Sequence, residues 1–494
     1  MLRCEEEDVL TRVKVVTLAR VLLPEAIKLH TDRLLVQPVT GAMKFPKLTK
    51  GICSHFTVPS SHRTEGVSGA DMVLYVAAGP TEDSVVAWAS ACVELPDGRP
   101  VVGVINFSPR FIGGEREIVR SVSHEIAHAL GFGYEMIERK GMITNVSGIR
   151  GKNNTFVVSS ERTRAKAREH YGCNTLAGME LEDEGDAETA HSHWERRNAK
   201  DELMSPIVGV GYYTALTMSA FEDMGVYRAQ WGMEEPMSWG HKAGCSLLDD
   251  KCLTDGVTSH PDMFCRKQTD ALSCTSDRRA LGHCPIVEYA DPLPFEFQYF
   301  TEPNVGGKED LLMNFCPVIV PFLNSDCANG EPSVMVGSRI GPKSACLKSV
   351  ALRMDGQRIG DVCAEVLCGD GAVYVRYLGN DTWHLCPEGA HITPGTPFTR
   401  GRILCPRRMD VCPPVLTRIR EETRLDTDNS FGSDERDSGQ KAALRWTRGY
   451  GIDANDKRTH VPNNISRPDT AIVAAALFAS TSFVVIISVM VVLG

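Results

Sequence analysis

Several things are missing from this 494-residue chain, and each absence narrows what it can be. No Cys-x-x-Cys pair occurs among its seventeen cysteines, so a structural zinc ribbon is not expected. No basic stripe interleaved with aromatic residues is present, and the net charge is −10, which argues against nucleic acid as a partner. The first residues lack the pattern of a secretory signal: Met1 is followed almost at once by Glu5, Glu6, Glu7 and Asp8. The apolar run Val15–Leu23 is interrupted by Arg20 and reads as an amphipathic helix.

The chain is otherwise that of a folded protein with room for two or three domains. Thirteen of its cysteines fall between Cys245 and Cys412, among many prolines and glycines. That density predicts an oxidising compartment and a loop-rich, mostly β domain stapled by disulfides. Sequons at Asn145, Asn153, Asn380 and Asn464 agree with a lumenal or extracellular chain.

Chemistry concentrates in Ser121–Phe132, SVSHEIAHALGF. Ile118, Val119, Val122, Ile126 and Leu130 recur at helical spacing, and Gly131 supplies the stop. Positions i and i+4 share one helix face, so His124 and His128 can present two imidazoles to one Zn²⁺. Glu125, beside the first, is placed to act as general base. A buried helix with two satisfied histidines would look the same locally, so the third ligand decides. In the compact metzincin pattern it would fall at position 134, which is Tyr134. It must therefore come from further on, or from a carboxylate such as Glu135 or Glu138. His170, His191, His193 and His241 are the downstream histidines before the Cys-rich region. His193 stands out by context, HSHWERRNAKDELMSP, with Met204 eleven residues later in the place of a metzincin Met-turn.

HEIAHALGF, the later SHW and DELM-Ser-Pro, together with VLYVAAGP, AWASACV, VGVINF and GYYTALTMSAFEDMG, closely resemble the leishmanolysin family of trypanosomatid surface metalloproteases. The resemblance runs from Cys4 to Cys412. It implies an α+β fold: a metzincin-like catalytic domain with a mixed sheet and the HExxH helix, a central subdomain with the Met-turn, then a disulfide-rich β domain. It implies one Zn²⁺ per chain on His124, His128 and His193, with Glu125 catalytic and Met204 beneath the metal. His193 is preferred to His191 because the family's SHW puts the ligand directly before Trp. The family pairing carries over as Cys53–Cys92, Cys173–Cys245, Cys252–Cys316, Cys265–Cys284, Cys274–Cys346, Cys327–Cys363, Cys368–Cys412 and Cys386–Cys405. Cys4 is left over, which suggests that an N-terminal segment is missing.

The expected domains are 1–133, 134–250 and 251–412, followed by a polar disordered stalk, 413–470, and a hydrophobic segment, 471–494. Ser84–Val93 is expected to be an edge strand by analogy with metzincins, and Gly209–Gly225 a helix. The acidic run Glu180–Asp186 is expected to be a solvated face. Ala471–Gly494 carries no charge in 24 residues, and is expected to be a transmembrane helix or a glycolipid-anchor signal. The implied function is a cell-surface zinc endopeptidase acting on proteins or peptides, with host proteins as further ligands. The alternative is a catalytically inactive family member acting in adhesion.

Overall fold

The computed structural model describes residues 4–412, apart from 83–84, 114–115, 187–188, 208, 268–270 and 309–310, and three short strands beyond them, 445–446, 475–478 and 485–491. The chain divides into two compact units: Met1–Met142 with Thr217–Glu234 and Asn429–Gly494, and Ile143–Leu216 with Glu235–Asp428. The fold is mixed α+β, with small sheets, few helices and the disulfides gathered toward the C-terminal part.

The first unit is built on a mixed sheet. Met72–Ala78 runs parallel to Pro100–Phe107, and Ala87–Glu94 runs antiparallel to Pro100–Phe107 at the edge. The two inner strands are buried along their whole length, as their continuous Val/Ile/Leu/Ala runs require. Val73, Tyr75, Val102 and Val104 share a core with Met43, Phe45 and Phe56. The opposite face, where Met72, Leu74 and Gly103 lie, takes the helix Arg116–Ala129. Glycine is required at 103. A Cβ there would lie 2.8 Å from the Ala129 Cβ, so the bare backbone lets the helix end rest directly on the sheet. Ahead of the first strand a 3-10 turn, Glu6–Asp8, is followed by the helical stretches Arg12–Thr17 and Leu23–Thr31, joined without a break by a π-turn at Leu18–Leu22 before Pro24.

The described residues of the hydrophobic C-terminal segment are strands, Ala475–Phe478 and Val485–Val491. Val485–Val491 is a strand, antiparallel to Met72–Val76 from Ile487↔Val76 to Val491↔Met72. The Asp71 amide donates to the Val491 carbonyl at 2.8 Å. Among the described residues no helix is long and apolar enough to cross a membrane. The physical reason is local: β-branched Val and Ile suit a strand, and the open backbone edge of Met72–Ala78 offers hydrogen bonds that such a segment can satisfy. Apart from Arg445–Trp446, the expected stalk lies outside the described residues.

The second unit opens with a three-stranded sheet, Ile143–Val146, Thr155–Val158 and Met179–Glu180, and the helix Glu161–Tyr171. Its Cys-rich part carries a three-stranded, a two-stranded and two four-stranded sheets. All eight disulfides implied by the resemblance are present, and Cys4 is a free thiol. Gly209–Gly225 is not helical throughout. The helix is Ala215–Asp223, because the Tyr212 amide and carbonyl are taken by Asp201 and Leu203 and Gly211 turns at φ +63°. Thr214 caps the helix, its Oγ1 accepting from the Leu216 amide at 3.1 Å.

Candidate metal centre

The HExxH residues sit on the last turns of Arg116–Ala129. Val122, Ile126, Ala127 and Ala129 are buried, and this apolar stripe sets the helix rotation. His124 and His128 then fall together: their Nε2 atoms are 3.0 Å apart and their rings meet edge to face at 4.7 Å. Two nitrogens bound to one tetrahedral ion at ~2.0–2.1 Å would lie about 3.3 Å apart, so the pair is already spaced as ligands.

The helix end prepares the second imidazole. Gly131, at φ +103°, reverses the chain; its amide donates to the His128 carbonyl and the Phe132 amide to the Ala127 carbonyl, both at 2.9 Å. This paired bonding is the Schellman arrangement. It turns the Phe132 carbonyl back onto His128, whose Nδ1 donates to it at 2.7 Å. With the proton fixed on Nδ1, the Nε2 lone pair is available to a metal. Burial also pushes His128 below the usual imidazole range, which favours the neutral ring a metal needs. From the other side, buried His30 donates from Nε2 to the Ser123 carbonyl at 2.8 Å and lies 3.1 Å from the Ser123 hydroxyl. Tyr227 donates to the Leu130 carbonyl at 2.7 Å, closing the exposed end of the helix. Glu125 is half-buried, and loss of hydration pushes its carboxyl up to about 8.

His193 belongs to the second unit and is buried. Its Nδ1 donates to the Thr189 carbonyl at 2.8 Å, which again leaves Nε2 with the lone pair. His191 is held differently. It has φ +64°, and its ring packs edge-on against Phe156 at 4.8 Å. Glu138 accepts from the Tyr134 hydroxyl at 2.8 Å on the surface. Met204 is fully buried, and its carbonyl accepts from the Trp194 amide at 2.9 Å, so the turn is tied to the segment carrying His193. Glu202 holds that turn: one carboxylate oxygen takes the Met204 amide at 2.5 Å, the other the Thr214 hydroxyl at 2.8 Å. Tyr213 is core, and Tyr212 is half-buried.

Among the described residues, Glu182, Asp183 and Glu195, all in the second unit, make a group that could hold a metal ion. Sequence reasoning did not single out His30, Glu202 or the two carbonyls that set the tautomers. A carbonyl has no side-chain signature, and nothing in the spacing marks His30.

A helix-borne HExxH on a mixed sheet, with prepared imidazoles and a disulfide-rich second unit, defines a metallopeptidase. The chain belongs to the leishmanolysin family, whose pattern matches residues 1–417. It is 39% identical over 427 residues to leishmanolysin of Leishmania major, covering 83% of this chain and 70% of that protein. It is 39% identical over 428 residues to a leishmanolysin homolog of Crithidia fasciculata, covering 83% and 65%. A leishmanolysin-like peptidase of Drosophila melanogaster is 30% identical over 447 residues, covering 70% and 64%.

Proposed function

We propose that this chain is a zinc endopeptidase whose metal is held by His124, His128 and His193. The observation that carries this reading is the shared tautomer: His128 and His193 each donate Nδ1–H to a main-chain carbonyl, as zinc-ligating histidines do. Bound there, zinc supplies Lewis-acid polarisation of a carbonyl and acidifies water. Glu125 takes the proton from the attacking water and delivers it to the leaving amine. Met204, tied through its carbonyl to Trp194, holds the segment that presents His193. The edge strand Ala87–Glu94 offers main-chain groups with which an extended peptide can pair.

Peptide cleavage by the purified chain, with and without a zinc chelator and beside Glu125→Gln, tests the reading. Activity that the chelator abolishes, and that the variant lacks while retaining zinc, is the expected result. Zinc retained with no cleavage by the native chain would refute the enzyme and favour an adhesion role. The eight disulfides require an oxidising compartment, so the proposed location is the cell surface, by way of the secretory route. Membrane attachment through 471–494 belongs to the same proposal, and release by a phosphatidylinositol-specific phospholipase C tests it. A segment held in a bilayer cannot pair with Met72–Val76 at the same time.

A further inference from the structure

The acidic run Glu180–Asp186 is a solvated face only at its end, where Gly185 and Asp186 are exposed. Glu180 is buried, and Glu182 is fully enclosed, as is Glu195 from the segment after His193. An antiparallel bridge, Leu181↔Trp194, brings the two segments together. The Glu182 amide donates to the His193 carbonyl at 2.9 Å, and the Glu195 amide to the Glu180 carbonyl at 3.0 Å. Side chains alternate along such a ladder. Leu181 and Trp194 therefore share the apolar side, and both are fully buried, while Glu182 and Glu195 share the other.

The charges around this bridge do not cancel. Arg150 pairs with both oxygens of Glu180. Lys152 pairs with Asp183 at 2.5 Å, and lies 3.8 Å from Glu184. The Arg197 guanidinium is spent elsewhere, on the Asn198 side chain and the carbonyls of Leu247 and Asp250. Glu182 receives only main-chain amides, from Glu184 at 3.0 Å and Arg196 at 3.1 Å. Glu195 receives the Arg197 amide on one oxygen at 3.3 Å, and its other oxygen is buried with no hydrogen-bond partner. Glu182, Asp183 and Glu195 set against Lys152 and the buried Arg197, whose hydrogen bonds go to uncharged groups, leave one negative charge over. An enclosed carboxylate oxygen without a partner is costly, and a cation is the ligand that relieves it.

We propose that Glu182, Asp183 and Glu195 form a second cation site, one that takes a hard divalent ion of the calcium class. One oxygen from each lies within 4.8 Å of the others. Two oxygens bound to calcium at roughly 2.4 Å can be at most about 4.8 Å apart, so the three fit within one coordination sphere. The donors are all carboxylate oxygen, which suits calcium and not the imidazole-binding metals. The ion clamps 180–183 to 193–196, and so steadies the segment that presents His193. The site stands on its own donors and does not depend on what the histidines hold.

The test is a calorimetric titration of the full chain, saturated with zinc and freed of calcium, with calcium chloride, alongside thermal melts and a zinc assay. The expected result is one calcium per chain, a raised melting temperature and unchanged zinc content. Asp183→Asn and Glu195→Gln should each weaken the binding by roughly tenfold or more, since donor charge sets affinity. Should Glu195→Gln fail to fold, the half-buried Asp183→Asn decides alone. No heat and no thermal shift with calcium or magnesium up to about 10 mM, beyond the range of the weakest calcium modules, would overturn the proposal in favour of a proton shared between the two glutamates. Binding that both variants retain, or that displaces zinc, would overturn it equally.

Discussion

Gly103→Ala is the perturbation that most directly tests how the HExxH helix is seated. The added Cβ would lie 2.7 Å from the Met72 Cε, 2.8 Å from the Ala129 Cβ and 2.9 Å from the Leu74 Cδ2. Carbon atoms prefer roughly 3.5–4.0 Å. The Met72 and Leu74 methyls end flexible side chains and can rotate away. The Ala129 Cβ cannot, because it is fixed to the backbone one residue after His128. Relief requires the helix end to back off by most of an ångström, or the central strand to bend. Overpacking of this kind costs about 1–3 kcal/mol. For a unit of this size that is a fall of about 2–4 °C in melting temperature per kcal/mol. Zinc affinity should fall as well, since His128 moves with Ala129. The companion variant, Ala129→Gly, removes the obstructing atom at a cost of roughly 0.5–1 kcal/mol for glycine in a helix. The double variant should then be more stable than the sum of the single losses by about 1 kcal/mol or more. Guanidinium unfolding with the disulfides intact measures all three. Strictly additive losses would show that the helix does not rest on Gly103.

Two further outcomes are expected. Gly131→Ala forces an L side chain into φ +103° and should cost ~1–2 kcal/mol; by disturbing the Phe132 carbonyl that holds His128 Nδ1, it should also weaken zinc binding roughly 10–100-fold, read by competition with a chromogenic chelator, and unchanged zinc affinity would refute the carbonyl's role. Asp8, hydrogen-bonded and paired to Arg110, is held down to about 2 from an ordinary value of 3.8. A depressed carboxylate contributes stability above its unfolded value and loses it as pH falls through the folded one. The native chain should therefore lose stability between pH 3.8 and about 2 more steeply than Asp8→Asn, in urea melts across that range; parallel curves would count against the pair.

Residues close in sequence carried much of the reading. Met72–Ala78, Ala87–Glu94 and Pro100–Phe107 show as apolar, β-branched runs, and His124 and His128 need only helical spacing to fall on one face. The failures have a common physical form. Gly209–Tyr213 stands at the start of the expected helix, but its two glycines disfavour one and the Tyr212 main-chain groups are claimed by Asp201 and Leu203. Glu180–Asp186 reads as surface, yet pairing with 193–196 encloses Glu182.

Local periodicity, the HExxH spacing and the identity of the donor atoms are properties of neighbouring residues, and they could be read before any coordinates. Which proton each imidazole carries, which carboxylates lose water, and where an apolar segment finds its backbone partners are set by groups far apart in the chain. Folding alone decides those, because hydration and hydrogen-bond partners depend on what else arrives at the same place.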